Sequence, residues 1–203
     1  PLDMALSPDG IKMAVSYMRV NGNKISTHIA FYNFGSAGQM ELNNQVGELN
    51  VDDVLAPQIF FCDNSTAVAV RTDGFTVFSG SQSPKEKKTV KFDQEIISTF
   101  HDGNRIGFVF DGGDSGHKYL MKVYNTGGKN TMQKYFYLQY NSITLQKDKI
   151  VLFNEKEFAI YKLNGQKTFQ GKYRKPIQNV LSIRGFRKYM VITEDSADLI
   201  RLG

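Results

Sequence analysis

The sequence predicts an all-β fold, a β-propeller built from four-stranded blades, and two observations support this. Short strands, most with an aromatic residue, recur along the chain. Their equivalent positions are Tyr32, Phe78, Tyr124, Tyr161 and Arg201, which are separated by 46, 46, 37 and 40 residues. A propeller blade takes about 40 to 50 residues. Tight-turn sequences such as Ser7-Pro8-Asp9-Gly10 also precede near-continuous apolar strands.

Two strands of each blade are readable from the sequence. The predicted third strands are Ile29 to Asn33, Phe75 to Ser79, Met121 to Asn125, Phe158 to Lys162 and Leu199 to Leu202. The predicted second strands are Ile11 to Tyr17, Thr66 to Arg71, Arg105 to Phe110, Lys149 to Phe153 and Lys188 to Thr193. Most second strands are apolar on both faces, as expected where neighbouring sheets cover both sides.

The repeat divides the chain into four near-complete blades and a partial fifth. We place them at residues 1–53, 54–94, 95–138, 139–175 and 176–203, as one propeller domain or fragment. The last blade shows three strands, and the sequence opens at Pro1 with a strand almost at once. We therefore expect this chain to be the C-terminal arc of a larger ring, since propellers close by joining their two ends.

A modest positive charge allows an anionic partner. The 203 residues include 25 Lys and Arg against 20 Asp and Glu, a net charge of +5. The candidate basic surface consists of Lys85, Lys87, Lys88, Lys172, Arg174 and Arg187. Solvated loops and protected strand edges explain these lysines better than a polymer site, because edge lysines block unwanted pairing. A scaffold for anionic polymer stays open, and it predicts binding that weakens with salt.

The sequence contains no recognisable metal, cofactor or nucleophile motif, so we expect no cofactor. The histidines His28, His101 and His117 lack zinc-ligand spacing, and Cys62 sits in an apolar run. Residues 111–117, DGGDSGH, offer oxygen ligands for calcium, but the composition also fits a plain Gly-rich loop. Residues 135–140, YFYLQY, could stack bases, but an outer strand followed by an inner one is favoured, and no nucleic-acid partner is expected.

An enzymatic alternative places a hydrolase or lyase site in the central channel of the propeller. Its polar residues would come from the ends and turns of the inner strands, namely Asp9, Asp63, His101 and Asp148. This hypothesis requires several of these side chains to converge in a deep channel, with at least one strongly shifted pKa.

The phrases DMALSPDG, AVSY and IAFYNFG and the ending LIRL carry a family resemblance. Together they resemble a family of uncharacterised Gram-positive bacterial proteins that forms a domain of unknown function, with broader similarity to TolB-like and WD40-like propellers. The resemblance implies an N-terminal transmembrane anchor and an extracytoplasmic propeller-like region, of which this chain matches the C-terminal half. It implies no catalytic or binding residues.

The favoured function is a non-enzymatic binding or scaffold module of the cell envelope. We expect a protein or envelope ligand, an extracytoplasmic location at the cell surface, and membrane contact only through an upstream anchor. The irregular stretch from Gly35 to Asp53 is a candidate binding loop, because a long loop in a compact domain is often functional.

Overall fold

The computed structural model of the chain describes residues 1–35, 44–113, 116–183 and 188–202. All of the regular secondary structure in these residues is β-strand, apart from one helical-turn residue at Gly113. The chain divides into two compact units. The first consists of Pro1–Ile96 with Thr126–Lys129, and the second of Ile97–Asn125 with Asn130–Gly203.

The first unit contains two four-stranded antiparallel sheets, each made of strands consecutive in sequence. The first sheet is β1 (Asp3–Leu6), β2 (Lys12–Asn21), β3 (Lys24–Asn33) and β4 (Gln45–Asp52). The second sheet is β5 (Gln58–Phe61), β6 (Thr66–Arg71), β7 (Gly74–Ser79) and β8 (Lys85–Lys91).

The second unit contains three sheets. The third sheet is β9 (Ser98–Asp102), β10 (Arg105–Asp111), β11 (Tyr119–Asn125) and β12 (Asn130–Phe136). The fourth sheet is β13 (Ser142–Gln146), β14 (Lys149–Phe153), β15 (Glu157–Lys162) and β16 (Lys167–Lys172). The fifth sheet has three strands, β17 (Asn179–Ser182), β18 (Lys188–Ile192) and β19 (Ala197–Arg201).

The predicted fold class is confirmed, with four four-stranded sheets and a three-stranded fifth. The predicted second strands at 66–71 and 149–153 match β6 and β14 residue for residue. Of the aromatic stretch 135–140, only the first two residues lie in the outer strand, because β12 ends at Phe136. The predicted strand is therefore too long at its C-terminal end. Within the stretch 35–53, β4 is the outer strand and residues 36–43 lie outside the described part.

Apolar side chains join the two sheets of the first unit face to face. Ile29 and Phe31 of the first sheet pack with Ile59 and Phe78 of the second, and the rings of Phe31 and Phe78 are 4.8 Å apart. Burying large aromatic and branched side chains supplies most of the favourable free energy of such a contact.

In the second unit the fourth sheet is covered on both faces. Ile150 and Leu152 of β14 pack toward the third sheet, whereas Val151 and Phe153 pack toward the fifth. Successive residues of a strand point to opposite faces, so an apolar run is what a doubly covered strand requires. The structure therefore explains why the second strands are continuous apolar runs in the sequence.

Hydrogen bonds tie the first strands of neighbouring sheets together. In the first unit, the Ile59 amide of β5 donates to Asp3 Oδ2 of β1 at 2.7 Å. In the second unit, the Lys147 amide after β13 donates to Asp102 Oδ2 of β9 at 2.7 Å. The Gln146 side chain of β13 bonds both Val180 and Ser182 of β17.

Among the described residues no helix is long and apolar enough to span a membrane.

Candidate functional site

The polar residues predicted for a channel site lie in hairpin turns or at strand ends. Asp9 and Asp63 belong to neighbouring turns of the first unit, and the Asp9 amide donates to Asn64 Oδ1 at 3.0 Å. Asp9 accepts hydrogen bonds from the Ser7 hydroxyl and the Ile11 amide, and Asp63 accepts from the Ser65 amide and hydroxyl. Each carboxylate thus closes its own turn.

The other two candidates lie in the second unit. His101 is in β9, and burial of its ring lowers its pKa, while the adjacent Asp102 charge acts in the opposite direction. Asp148 is exposed in the turn between β13 and β14 and pairs with Lys149, which lowers the pKa of the Asp148 carboxyl.

The electrostatics of the three aspartates favour the charged carboxylate. Hydrogen bonds from Ser7 and Ile11 lower the pKa of Asp9. Partial burial raises the pKa of Asp63, but hydrogen bonds from Ser65 and Thr66 outweigh it and leave that pKa lowered. A general acid needs a raised carboxyl pKa, whereas the pKa values of these three groups are lowered. Asp9 and Asp63 cap their own turns, and Asp148 pairs with Lys149. The channel-site hypothesis stays a prediction.

The basic residues occupy outer strands in both units. Lys85, Lys87 and Lys88 are exposed on β8, the outer strand of the second sheet. Lys172 ends β16 and Arg174 follows it, with Arg174 Nη2 lying 3.5 Å from Asp198 Oδ2. Arg187 lies outside the described residues. The lysines of β8 thus line an edge strand, where charge discourages pairing with other chains.

In the described residues, neither the Cys62 thiol nor the possible metal ligands form a reactive centre. Burial, with a smaller effect from the Asp63 charge, raises the pKa of Cys62 to about 12. A thiol with such a pKa is a poor nucleophile at neutral pH. In the described part of the chain, no three His, Cys, Asp or Glu side chains are placed to hold a metal ion. Of the loop 111–117, residues 114 and 115 fall outside that part.

A polar cleft in the second unit is the strongest candidate site. It consists of two adjoining cavities of about 410 and 660 Å³, which share Asn141, Asn154 and Glu155 as lining residues. Three segments form it: the β12–β13 connection, the β14–β15 turn and the β16–β17 connection. We call it the amide cleft after its side-chain amides, Gln139, Asn141, Asn154, Gln170, Gln178 and Asn179.

Backbone hydrogen bonds hold the three segments of the cleft together. The β14–β15 turn accepts from the Ile177 amide at Glu155 O, 2.9 Å, and from the Tyr173 amide at Lys156 O, 2.8 Å. On its other side, the Asn154 side chain donates to the Gln139 carbonyl. Asn154 Oδ1 also caps the turn by accepting from the amides of Lys156 and Glu157. The cleft is therefore a preformed surface.

Several side chains of the cleft are available to a ligand. Gln139, Asn141 and Gln178 are exposed, and their amide groups make no hydrogen bond with the described residues. Each amide can donate and accept, as a peptide group does. Tyr137 lies at the rim, 63% exposed, with its ring 4.5 Å from that of His117. An amphipathic ring of this kind is a typical anchor in protein interfaces.

The cleft was missed in the sequence because its residues come from three separate connections. The only sign of the cleft in the sequence was that each of the three connections contains a side-chain amide. These are Gln139 and Asn141 after β12, Asn154 after β14, and Gln178 after β16. Asn and Gln are also ordinary turn residues, so this signal does not separate a site from a loop. Of the predicted binding stretch 35–53, none of the described residues lines the cleft, and residues 36–43 lie outside the described part.

Solved structures that resemble this chain share its fold. Sqt1 from Chaetomium thermophilum matches with a TM-score of 0.62 at 11% identity, over 93% of this chain and 54% of that one. BamB from Moraxella catarrhalis matches with a TM-score of 0.52 at 9% identity, over 98% and 72%. A chain of the Mitotic Checkpoint Complex matches with a TM-score of 0.54 at 9% identity, over 94% and 56%. This chain spans about half the length of Sqt1.

The fold is that of the β-propeller proteins, in agreement with these neighbours and with the series of four-stranded antiparallel sheets. The chain belongs to a family of unknown function, DUF5711, whose family model matches residues 1–202. A comparison with curated proteins finds no match.

Proposed function

We propose that this chain is a non-enzymatic scaffold module that binds a protein partner at the amide cleft. The observation that carries the proposal is a set of three exposed amide side chains on a hydrogen-bonded frame, Gln139, Asn141 and Gln178, which make no hydrogen bond within the described part of the chain. A preformed frame spares the ordering entropy that a flexible loop loses on binding.

The chemistry of the cleft favours a protein ligand over an anionic polymer. Its charged lining residues are Glu155, Lys156, Glu157 and Lys172, two of each sign. Because these charges cancel, the cleft exerts little long-range attraction on a polyanion. Its side-chain amides can act as donors or as acceptors toward the peptide groups of a partner. Tyr137 at the rim supplies the apolar contact that polar groups lack.

We further propose that the module works outside the cytoplasm, at the cell surface, tethered to the membrane by a segment upstream of this chain. The support is the family resemblance of the sequence. The single cysteine is compatible with it, because a thiol of raised pKa resists oxidation in an oxidising compartment. Protease treatment of intact cells that make the full-length protein should digest this region. Digestion only after lysis would contradict the proposed location.

The binding proposal is tested by affinity capture from envelope extract, with bound proteins identified by mass spectrometry. The chain is compared with a cleft variant in which Gln139, Asn141 and Gln178 are replaced by Ala. We expect the cleft variant to capture at least about tenfold less of the partner protein than the chain does, because several interface hydrogen bonds are lost together.

A second triple variant is the matched control. It replaces Lys85, Lys87 and Lys88 of β8 by Ala, an equal number of exposed residues in the first unit. This variant should retain the partner at moderate salt. Loss of binding on the lysine variant but not on the cleft variant would contradict the proposal and favour an anionic polymer held by charge.

A further inference from the structure

The smaller cavity of the amide cleft differs from the larger one in charge. Among the described residues, Glu155 is the only charged one that lines the cavity of about 410 Å³. The other lining residues carry amide, hydroxyl or apolar side chains. In the larger cavity, Lys156 and Lys172 accompany Glu155 and Glu157. The smaller cavity is therefore the negative part of a cleft that is neutral as a whole.

The carboxylate of Glu155 is available to a ligand. The residue is exposed, and its side chain makes no ion pair or hydrogen bond with the described part of the chain. Three aspartates of the same unit, in contrast, already pair with a lysine or an arginine: Asp148, Asp195 and Asp198. A carboxylate that lines a cavity without such a partner can accept charge-assisted hydrogen bonds from a cationic ligand.

The backbone around Glu155 is fixed independently of its side chain. Asn154 Oδ1 accepts from the amides of Lys156 and Glu157 at 2.8 and 3.0 Å, which closes the β14–β15 turn. The Glu155 carbonyl accepts from the Ile177 amide at 2.9 Å. A ligand therefore reaches the carboxylate without having to order the main chain. A change of the Glu155 side chain also leaves these bonds intact.

The groups that share the smaller cavity with Glu155 suit a guanidinium better than an ammonium. Asn141 and Gln178 line this cavity with exposed amides, whose carbonyl oxygens can accept hydrogen bonds. An arginine offers five N–H donors in one plane to several acceptors, whereas a lysine offers three on one strongly hydrated nitrogen. Phe153 and Ile177 supply an apolar wall for the aliphatic part of the arginine side chain.

We propose that the smaller cavity binds an arginine side chain of the partner protein, with the guanidinium paired to the Glu155 carboxylate. The side-chain carbonyl oxygens of Asn141 and Gln178 accept its remaining N–H groups. This inference rests on the proposed function, because it names the side chain that the partner presents to the cleft. Glu155 thereby selects among partners, since a neutral side chain leaves the carboxylate unpaired and an acidic one is repelled.

The probe is a capped tripeptide with arginine between two glycines, titrated to about 20 mM because a single side chain binds weakly. Heteronuclear NMR of the isotope-labelled chain should show saturable shifts of the Glu155 backbone amide and of the Asn141 and Gln178 side-chain amides. The same tripeptide with citrulline, a neutral isostere of arginine, should bind about tenfold more weakly or not at all. The lysine tripeptide should also bind more weakly, and added salt should weaken binding of the arginine tripeptide.

Two glutamate variants of the chain test the role of Glu155. Glu155→Gln keeps the shape of the side chain and removes its charge, so affinity for the arginine tripeptide should fall about tenfold or more. Glu157→Gln is the matched control, because Glu157 lines the larger cavity and not the smaller one. This control should bind the tripeptide like the unmodified chain. Absence of saturable shifts, equal binding of the citrulline or lysine tripeptide, or equal loss in both variants would overturn the proposal.

Affinity capture from envelope extract separates this inference from the proposed function. The Glu155→Gln chain should capture about fivefold less of the partner protein, or a still smaller amount. If the cleft variant loses the partner and the Glu155→Gln chain retains it in full, the arginine inference is wrong and the proposed function stands. If both variants retain the partner, the proposed function is wrong as well.

Discussion

The hydroxyl of Ser16 donates a 2.6 Å hydrogen bond to the carbonyl of Ala56, and both residues are buried. Ser16 lies in β2 of the first sheet, and Ala56 lies in the connection that leads to the second sheet. Thr27 of β3 supports the same connection: its hydroxyl donates to Val54 O at 2.7 Å and accepts from the Ala56 amide at 3.0 Å. Two hydroxyls therefore satisfy backbone groups that no strand ladder pairs.

Replacing Ser16 by Ala should lower the free energy of unfolding by about 1–3 kcal/mol, because the buried Ala56 carbonyl loses its partner. Thr27→Val should cost a similar amount, since valine keeps the shape and removes both bonds. Urea unfolding checks both variants. Ser26→Ala, a change on the same strand that removes none of these bonds, is the control. A loss below about 0.5 kcal/mol for both Ser16→Ala and Thr27→Val would contradict this role.

Gly107 of β10 lies opposite Phe100 of β9, and the aromatic ring covers the glycine. A Cβ at position 107 would lie 2.1 Å from ring carbons of Phe100, which is buried. Gly107→Ala should therefore destabilise the protein by about 1–3 kcal/mol, since overpacking displaces the ring.

If the Phe100 ring causes the destabilisation of Gly107→Ala, a smaller side chain at position 100 should reduce it. The double variant Gly107→Ala with Phe100→Leu should be less destabilised than the sum of the two single variants, as thermal unfolding can measure. Additive effects would show that the alanine acts through something other than the Phe100 ring.

Cys62 should be unreactive in the folded protein, because burial raises the pKa of its thiol to about 12. At pH 8 the thiolate is then roughly one part in ten thousand, and the thiolate is the reactive form. Thiol reagents should label Cys62 slowly in native buffer and rapidly in guanidinium chloride. Rapid native labelling would mean that the thiol is solvated and that its pKa is ordinary.

Asp9 should contribute to acid unfolding. Hydrogen bonds from Ser7 and Ile11 lower its pKa below the ordinary 3.8. A carboxyl with a lowered folded-state pKa stabilises the protein above the unfolded-state pKa, and this contribution is lost as pH falls through the folded-state value. The urea midpoint should fall between about pH 5 and about pH 3, and less so in Asp9→Asn. Equal falls in the two proteins would contradict this assignment.

Much of the fold could be predicted because the relevant forces are local. The anchors Tyr32, Phe78, Tyr124 and Tyr161 were identified from short aromatic-containing strands at regular spacing, and the structure places each at the register shift of its third strand. The predicted second strands were recognisable because a strand that is covered by other sheets on both faces is apolar at nearly every residue. The extension of β2 to Asn21 was missed, since its end carries exposed Met18 and Val20, which show no burial pattern.

The candidate site was less predictable for a physical reason. The cleft depends on three connections held together by bonds such as Ile177 N to Glu155 O and Tyr173 N to Lys156 O. Both are bonds between backbone groups, and every residue type except proline carries both the donor and the acceptor, so the sequence gives no specific sign of them. The charged turn residues that stood out in the sequence, Asp9 and Asp63, instead cap their own hairpins.

The most direct test of the binding role is site-specific photo-crosslinking in envelope extract. A photoreactive residue replaces Gln178 in the amide cleft in one protein and Lys87 on β8 in another, both exposed positions. Irradiation should join a discrete protein to position 178 and not to position 87. A protein joined to position 87 alone, or to neither position, would contradict the assignment of the partner to the cleft.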